Sequence, residues 1–95
     1  MNSDSPSNIL SKHPRMNEYN REFGNIFTYN LDQIYINVFK LKKWSPLKTI
    51  ELFEELSDEY VDELSYVDDE FDRLHIKTKI KMIKCYIDLL EGSMV

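Results

Sequence analysis

The amino-acid sequence predicts an all-α fold, a small bundle of three to four helices with a disordered N-terminal tail. Three observations favour this fold class. Apolar residues recur three and four positions apart through most of residues 23–90, which is the period of a helix face. Only two glycines interrupt the 95 residues. The pair Ser45 and Pro46 is a typical start of a helix.

The length and composition limit the classes of protein to which this chain can belong. Ninety-five residues are enough for one domain, with residues 1–15 as a flexible tail and residues 16–95 as a single helical domain. A hydrophobic content of 42% favours a folded core over disorder. The net charge of −5 disfavours direct binding to nucleic acid or to an anionic membrane and favours a basic partner. Because the chain has one cysteine, no run of ~18 apolar residues and no signal-peptide pattern, we expect it in the reducing cytoplasm.

The first fifteen residues are polar and contain two of the three prolines. Ile9 and Leu10 are the only large apolar residues between Met1 and Met16. Such a segment has little to bury, so we expect a mobile tail. A short segment that orders on a partner is the alternative.

The segment from Asn17 to Trp44 is ambiguous between helix and hairpin. One set of apolar residues is spaced four, four, three, four and three, as on one helix face: Phe23, Phe27, Leu31, Ile34, Val38 and Leu41. Residues 33–41 are also β-branched and aromatic with partial alternation, so a turn at residues 30–32 between two strands is the alternative. The helical period matches more residues, and it predicts a helix interrupted near Gly24 or Asn30.

The second half of the chain predicts two further helices. Ser45 is expected to cap the first amides, Pro46 to occupy the first position and Trp44 to fold back as a staple. The first apolar stripe comprises Ile50, Phe53, Tyr60, Leu64, Val67, Phe71 and Leu74. The second, after a slip in phase, comprises Ile76, Ile80, Ile83, Ile87 and Leu90.

The slip in phase predicts a corner between these two helices. An unbroken helix over residues 46–91 would be about 69 Å long, too long for a chain of this size. We therefore expect a helix over 46–64, a corner at 65–69 and a last helix over 70–91. Ser65 or Asp68 would cap the last helix at its start, and Gly92 would close its end.

The sequence carries no recognisable catalytic motif. The two glycines, Gly24 and Gly92, are too far apart for a phosphate-binding loop, and two histidines with one cysteine are too few for a zinc site. Asp72 and His75 have the spacing of a helical metal pair, but a surface histidine is the simpler interpretation. Cys85 lies beside the apolar stripe and predicts an inert, buried thiol. We expect no enzyme activity, no cofactor and no metal.

The most unusual feature is a block of eleven acidic and no basic residues between Glu51 and Asp72. Two interpretations compete. In the first, the acidic helix is neutralised by basic residues alongside it, either Arg73, Lys77, Lys81 and Lys84 or Lys40, Lys42, Lys43 and Lys48. In the second, the acidic face stays exposed and recognises a basic surface. Its charges recur about every 3 Å, close to the ~3.4 Å spacing along one DNA strand.

These features predict a non-enzymatic inhibitor whose acidic helix occludes a basic surface of a nuclease or nucleic-acid-binding protein. Immunity proteins, antitoxins and phage inhibitors act in this way. The residues expected to bind the partner are Glu51, Glu54, Glu55, Asp58, Glu59, Asp62, Glu63, Tyr66 and Asp69. The alternative is a helical assembly or dimerisation subunit that pairs through its apolar stripes, as a homodimer or with another helical protein. A carboxylate-rich metal site at Asp72 and His75 is a third, weaker hypothesis.

Overall fold

The computed structural model describes residues 6–41 and 43–92, and these residues form five α-helices and no strand. The all-α prediction is confirmed. The helices are α1 (Pro6–Leu10), α2 (Pro14–Phe23), α3 (Ile26–Gln33), α4 (Pro46–Leu64) and α5 (Glu70–Gly92). A single π turn over Ile34–Val38 continues α3. Helices α4 and α5 pack against each other as a hairpin. The longest dimension of the molecule is 41 Å.

The start of α4 lies where the sequence predicts it, but the capping bond differs. Pro46 occupies the first turn and Ser45 has extended backbone angles, as expected for a residue just before a helix. The Ser45 hydroxyl makes no capping hydrogen bond. Instead, its carbonyl accepts from the amide and the hydroxyl of the buried Thr49, at 2.9 and 2.6 Å. The buried Thr49 side chain therefore holds the start of α4 in place.

The corner between α4 and α5 covers residues 65–69, as predicted, and Asp69 provides the cap. Its carboxylate accepts a hydrogen bond from the Asp72 amide at 3.0 Å, which satisfies one of the free amides of the first turn. The prediction of Asp68 or Ser65 as the cap is wrong. Ser65 belongs to the end of α4, where its hydroxyl donates to the Asp62 carbonyl at 2.6 Å. Gly92, predicted to close the last helix as its cap, is the last residue of α5.

The described part of the N-terminal region, residues 6–15, contains more structure than the predicted flexible tail. Residues 1–5 lie outside the described residues, whereas 6–15 contain α1 and the start of α2. Leu10 is 1% exposed and belongs to the core. The Asp32 carboxylate accepts from the Ser7 amide at 2.9 Å, and the His13 ring accepts from the Arg15 amide at 3.1 Å. Both bonds stabilise helix starts, so over the described residues packing against the core extends back to Pro6.

The segment predicted as helix or hairpin is helical, with its break at Gly24 and none at Asn30. Gly24 has a φ of 82°, a conformation that glycine adopts without a steric cost. In the π turn, the Phe39 amide donates to the Ile34 carbonyl at 2.9 Å, five residues back. The extra residue rotates the buried face, so Tyr35 is 4% exposed while Val38 is 59% exposed. The prediction of Val38 as a core residue is wrong for this reason.

The core is centred on a group of aromatic rings between α2, α3 and α5. The Phe27 ring lies 5.5 Å from Tyr19, 5.4 Å from Phe23 and 4.5 Å from Tyr86. The Tyr86 hydroxyl donates to the Phe27 carbonyl at 2.6 Å, and burial raises the pKa of Tyr86. Phe53 joins the group from α4 at 5.3 Å from Tyr86. One cluster therefore connects the N-terminal helices to the α4–α5 hairpin.

Asp88 connects the C-terminal turns of α5 to α2 through two hydrogen bonds. Its carboxylate accepts from the Tyr19 hydroxyl at 2.7 Å and from the Arg15 guanidinium at 2.9 Å. The Tyr19 bond and then the Arg15 bond hold the pKa of Asp88 below its ordinary value. A carboxyl with a lowered pKa stabilises the folded state above its unfolded pKa, and that stabilisation is lost as the pH falls through the lowered value.

We expect Asp88→Asn to lower the free energy of unfolding by about 0.5–1 kcal/mol at pH 7, a small value because solvent screens this half-exposed group. The difference from wild type should shrink as the pH falls below the ordinary carboxyl pKa of 3.8. Urea unfolding at pH 7 and pH 3 measures both values. Asp58→Asn, on an exposed carboxylate of α4, is the control and should not lower the free energy of unfolding at either pH, since it removes a charge that its neighbours repel. An equal loss for Asp88→Asn at both pH values would contradict the assigned role of its charge.

Candidate functional site

The candidate site is the solvent side of α4. Phe53 and Thr49 point into the core, each 0% exposed. At about 100° per residue, the side chains of four acidic residues lie within about 60° of one another and roughly opposite Phe53. These four residues are Glu51, Glu55, Asp58 and Asp62. Glu54, Glu59 and Glu63 flank them, and the seven carboxylates together are called the acidic face.

All nine residues predicted to bind the partner are exposed. The Lys48 ammonium lies 3.6 Å from the Glu51 carboxylate, and both side chains are more than half exposed, at 52% and 63%. Within the described residues this is the one ion pair that the acidic face makes. An exposed pair of this length contributes little. Within the described residues the acidic face is therefore exposed rather than neutralised by basic side chains.

The basic residues of α5 contact other groups. Lys81 pairs with Glu22 of α2 at 2.6 Å, and the Arg73 guanidinium donates to carbonyls at the end of α4. The Lys79 ammonium lies 5.5 Å from the centre of the Tyr60 ring. None of these three cations reaches the acidic face, because they lie on the core side of α4 or beyond its end. Lys42 lies outside the described residues.

The carboxylates of the acidic face contribute to a raised pKa of a neighbouring tyrosine. Burial, followed by the carboxylates of Glu63 and Glu59, raises the pKa of Tyr60. Both carboxylates are within reach of this ring because they lie three and one residues from it in the helix. The Tyr60 hydroxyl therefore stays neutral beside the acidic face. It can donate a hydrogen bond without adding to the charge.

Two of the nine predicted residues differ from the rest in role. The Asp69 carboxylate is already an acceptor for the first turn of α5, so its contribution to α5 is structural. Tyr66 is 74% exposed, and its backbone amide donates to the Glu63 carbonyl at 3.0 Å. Tyr66 therefore follows the C-terminal end of the acidic face, and its ring is open to solvent. The acidic face with Tyr66 is the group that the structure brings together.

Several apolar residues lie at the surface, where the sequence did not predict them. Leu47 is 71% exposed and Val61 is 53% exposed, and both lie on the same margin of the acidic face as Glu54. Phe71 and Leu74 were predicted in the buried stripe but are 66% and 61% exposed, so that prediction is wrong. The signal for Leu47 and Val61 was that each lies seven residues from Glu54, two helical turns away and outside the phase of the buried stripe.

The side chains considered for metal binding or thiol chemistry, His75 and Cys85, have contacts that indicate a structural role. The His75 ring packs edge-on against Phe71, with ring centres 4.8 Å apart. Among residues 6–41 and 43–92, no three His, Cys, Asp or Glu side chains are grouped closely enough to hold a metal. Cys85 is half-buried, and burial raises the pKa of its thiol. In the same part of the chain, no helix has the length and apolar character needed to cross a membrane.

Comparison of the chain with protein-family models, curated proteins and solved structures finds no match. The structure thus defines an all-α domain with an exposed acidic helix face, and its function is inferred from that face.

Proposed function

We propose that this protein is a non-enzymatic inhibitor whose acidic face occludes a basic surface of a nuclease or nucleic-acid-binding protein. The observation that carries the proposal is that seven carboxylates of α4 are exposed with one weak ion pair within the described residues. Immunity proteins, antitoxins and phage inhibitors are the functional types that fit such a surface. The free cysteine suits a reducing compartment, so the proposed site of action is the cytoplasm.

The spacing of the charges supports a partner that binds nucleic acid. From Glu51 to Glu63 the helix rises about 18 Å, so successive carboxylates are about 3 Å apart along the axis. This is close to the ~3.4 Å between phosphates along one strand of DNA. A basic groove that accepts a phosphate backbone can therefore accept this face. Opposite charges would also accelerate the encounter at low salt.

The repulsion within the face adds to the driving force. Like charges three or four residues apart on a helix cost about 0.2–0.5 kcal/mol per pair. Glu51 with Glu55, Asp58 with Asp62 and the other pairs of this spacing therefore store a local penalty in the free protein. A basic partner relieves that penalty when it binds.

Exposed apolar side chains at the margins supply the non-polar contacts of such an interface. Leu47 and Val61 lie along one margin, and Tyr66 lies at the end of the face. Tight interfaces commonly combine a few large anchors with a polar surround. We therefore include Leu47 and Val61 in the proposed binding surface, beside the residues predicted from the sequence.

The test begins with capture of a partner by the tagged protein from cells that contain it, with elution in rising salt and identification by mass spectrometry. The decisive comparison uses two variants with the same change in net charge. Glu55→Lys with Asp62→Lys reverses the centre of the acidic face. Glu18→Lys with Glu91→Lys reverses two exposed charges elsewhere and is the control.

We expect the first variant to weaken binding by about a hundredfold or more and the control by less than about threefold. The free energy of unfolding of the first variant should stay within about 0.5 kcal/mol of wild type, since its changes are exposed and relieve repulsion. Wild-type protein at one equivalent should also displace a short DNA or RNA duplex from the captured partner. Equal binding by the two variants, or a partner that keeps its duplex, would refute the proposal.

A further inference from the structure

An apolar groove lies beside the amino-terminal half of α5, where this helix extends beyond α2 and α3. Phe71 and Leu74 form one side and are 66% and 61% exposed. Phe23 and Ile26 form the other side, with Met82 at the base, and Ile26 is 55% exposed. The groove has a volume of about 310 Å³ and is called the α5 groove. Several large exposed apolar side chains at one place indicate an interaction surface.

The charges beside the groove change sign at its centre. Glu70 and Asp72 precede Leu74, and Lys77 and Lys79 follow it. Glu70 and Lys77 project from one flank of the Phe71–Leu74 face, and both side chains are exposed. Two other cations of this region are held within the domain, since Arg73 donates to the Leu64 and Val67 carbonyls and the Lys79 ammonium lies over the Tyr60 ring of α4. On this flank the helix thus carries an acidic residue before the apolar centre and a basic residue after it.

We propose that two copies of this chain pair through the α5 groove, with their α5 helices antiparallel about a two-fold axis at Leu74. The rotation brings Glu70 of one copy opposite Lys77 of the second copy, with an offset of about 1.5 Å along the helix axis. Phe71 of each copy enters the α5 groove of the other, and the two contacts are equivalent, as in an isologous dimer.

Charge complementarity selects this occupant and this direction. A parallel pair would set the acidic end of this segment beside the acidic end of the other copy and the basic end beside the basic end, which is repulsive. The antiparallel pair instead sets Glu70 beside Lys77 twice, and both contacts are attractive. A second copy therefore supplies both the apolar side chains and the order of charges that the groove requires. The acidic face of α4 is directed away from the core, so this inference does not rest on the proposed inhibitory function.

Charge exchange tests the pairing directly. Sedimentation equilibrium of the full chain gives the dissociation constant of the dimer for wild type, Glu70→Lys, Lys77→Glu and the double variant. Each single variant should weaken the dimer by about tenfold, since it replaces two symmetric attractions with repulsions. The double variant restores both pairs with the signs exchanged and should return to within about threefold of wild type. Glu55→Lys, on the acidic face, is the control and should leave the dissociation constant unchanged.

A cysteine on the two-fold axis provides a second, independent measurement. Leu74→Cys in a Cys85→Ser background places a thiol opposite its own copy, and mild oxidation should give a disulfide-linked dimer as the main product. Val61→Cys in the same background is equally accessible but lies on α4, and it should crosslink only at the background level. A wild-type chain that stays monomeric at millimolar concentration, a double charge variant no better than the singles, or equal crosslinking of the two cysteines would overturn the proposal.

Discussion

Replacement of Phe27 with alanine is expected to lower the free energy of unfolding by about 3–5 kcal/mol. The Phe27 side chain is 0% exposed and lies against the rings of Tyr19, Phe23 and Tyr86. Its removal leaves a cavity at the one place where α2, α3 and α5 meet. Small domains have a total stability of about 5–15 kcal/mol, so much of the folded state would be lost. Urea unfolding followed by circular dichroism measures the change.

Tyr29→Ala is the matched control for Phe27→Ala. Tyr29 lies two residues away in the same helix and is 63% exposed. It removes an aromatic ring of similar size without opening a cavity, so we expect a loss below about 1 kcal/mol. Similar losses for the two variants would contradict the placement of the core on the Phe27 side of α3.

Leu10→Ala is expected to lower the free energy of unfolding by about 2–5 kcal/mol. Leu10 is 1% exposed, and it anchors the short helix α1 to the core cluster. A helix of five residues has no stability of its own, so its position depends on this contact and on the Asp32 cap. Thermal unfolding should show a clear fall in Tm, and protease should cut the variant faster within residues 6–15.

The control for Leu10→Ala is Lys12→Ala, two residues further along the chain and exposed. It should leave the free energy of unfolding within about 0.5 kcal/mol of wild type. The comparison also separates the two descriptions of the N-terminal region. A flexible tail would give no loss for either variant, whereas a docked helix gives a loss for Leu10→Ala alone.

The α4–α5 hairpin was predictable because its information is local. The Ser45–Pro46 start, the three-and-four spacing and the phase slip near Leu74 each depend on neighbours within a few turns. Both helix ranges and the corner follow from these signals and are confirmed. The residue that caps α5 was less predictable, because Ser65, Asp68 and Asp69 have similar chemistry and only backbone geometry distinguishes them.

The N-terminal helices were not predictable in the same way, because their stability comes from distant partners. Ser7 bonds to Asp32, and Arg15 bonds to Asp88, across 25 and 73 residues. In α1 the buried residues are Pro6 and Leu10, which are too few to give a helical period by themselves. The π turn was missed for a related reason, since one extra residue changes the phase of Tyr35 and Val38 without a signal in composition.

The spacing of the charges in the candidate site was predictable, whereas their exposure was less so. The spacing of Glu51, Glu55, Asp58 and Asp62 places them on one face of any helix that contains them. Whether lysines cover that face depends on how α5 packs, which no local pattern gives. The exposure of Phe71 and Leu74 likewise results from the short reach of α2 and α3 along α5.

The bonds that join α2 to the last turns of α5 also constrain when the chain can fold. Asp88 and Leu90 lie near the end of the described chain, and the core around Phe27 needs this part of α5 to exclude water. We therefore expect a nascent chain that lacks α5 to hold no stable core around α1 to α3. The α4–α5 hairpin is closed by a corner of five residues and packs largely on itself, so we expect it to form early and the amino-terminal helices to dock onto it. Native structure would then spread from α5 back towards α1, opposite to the direction of synthesis.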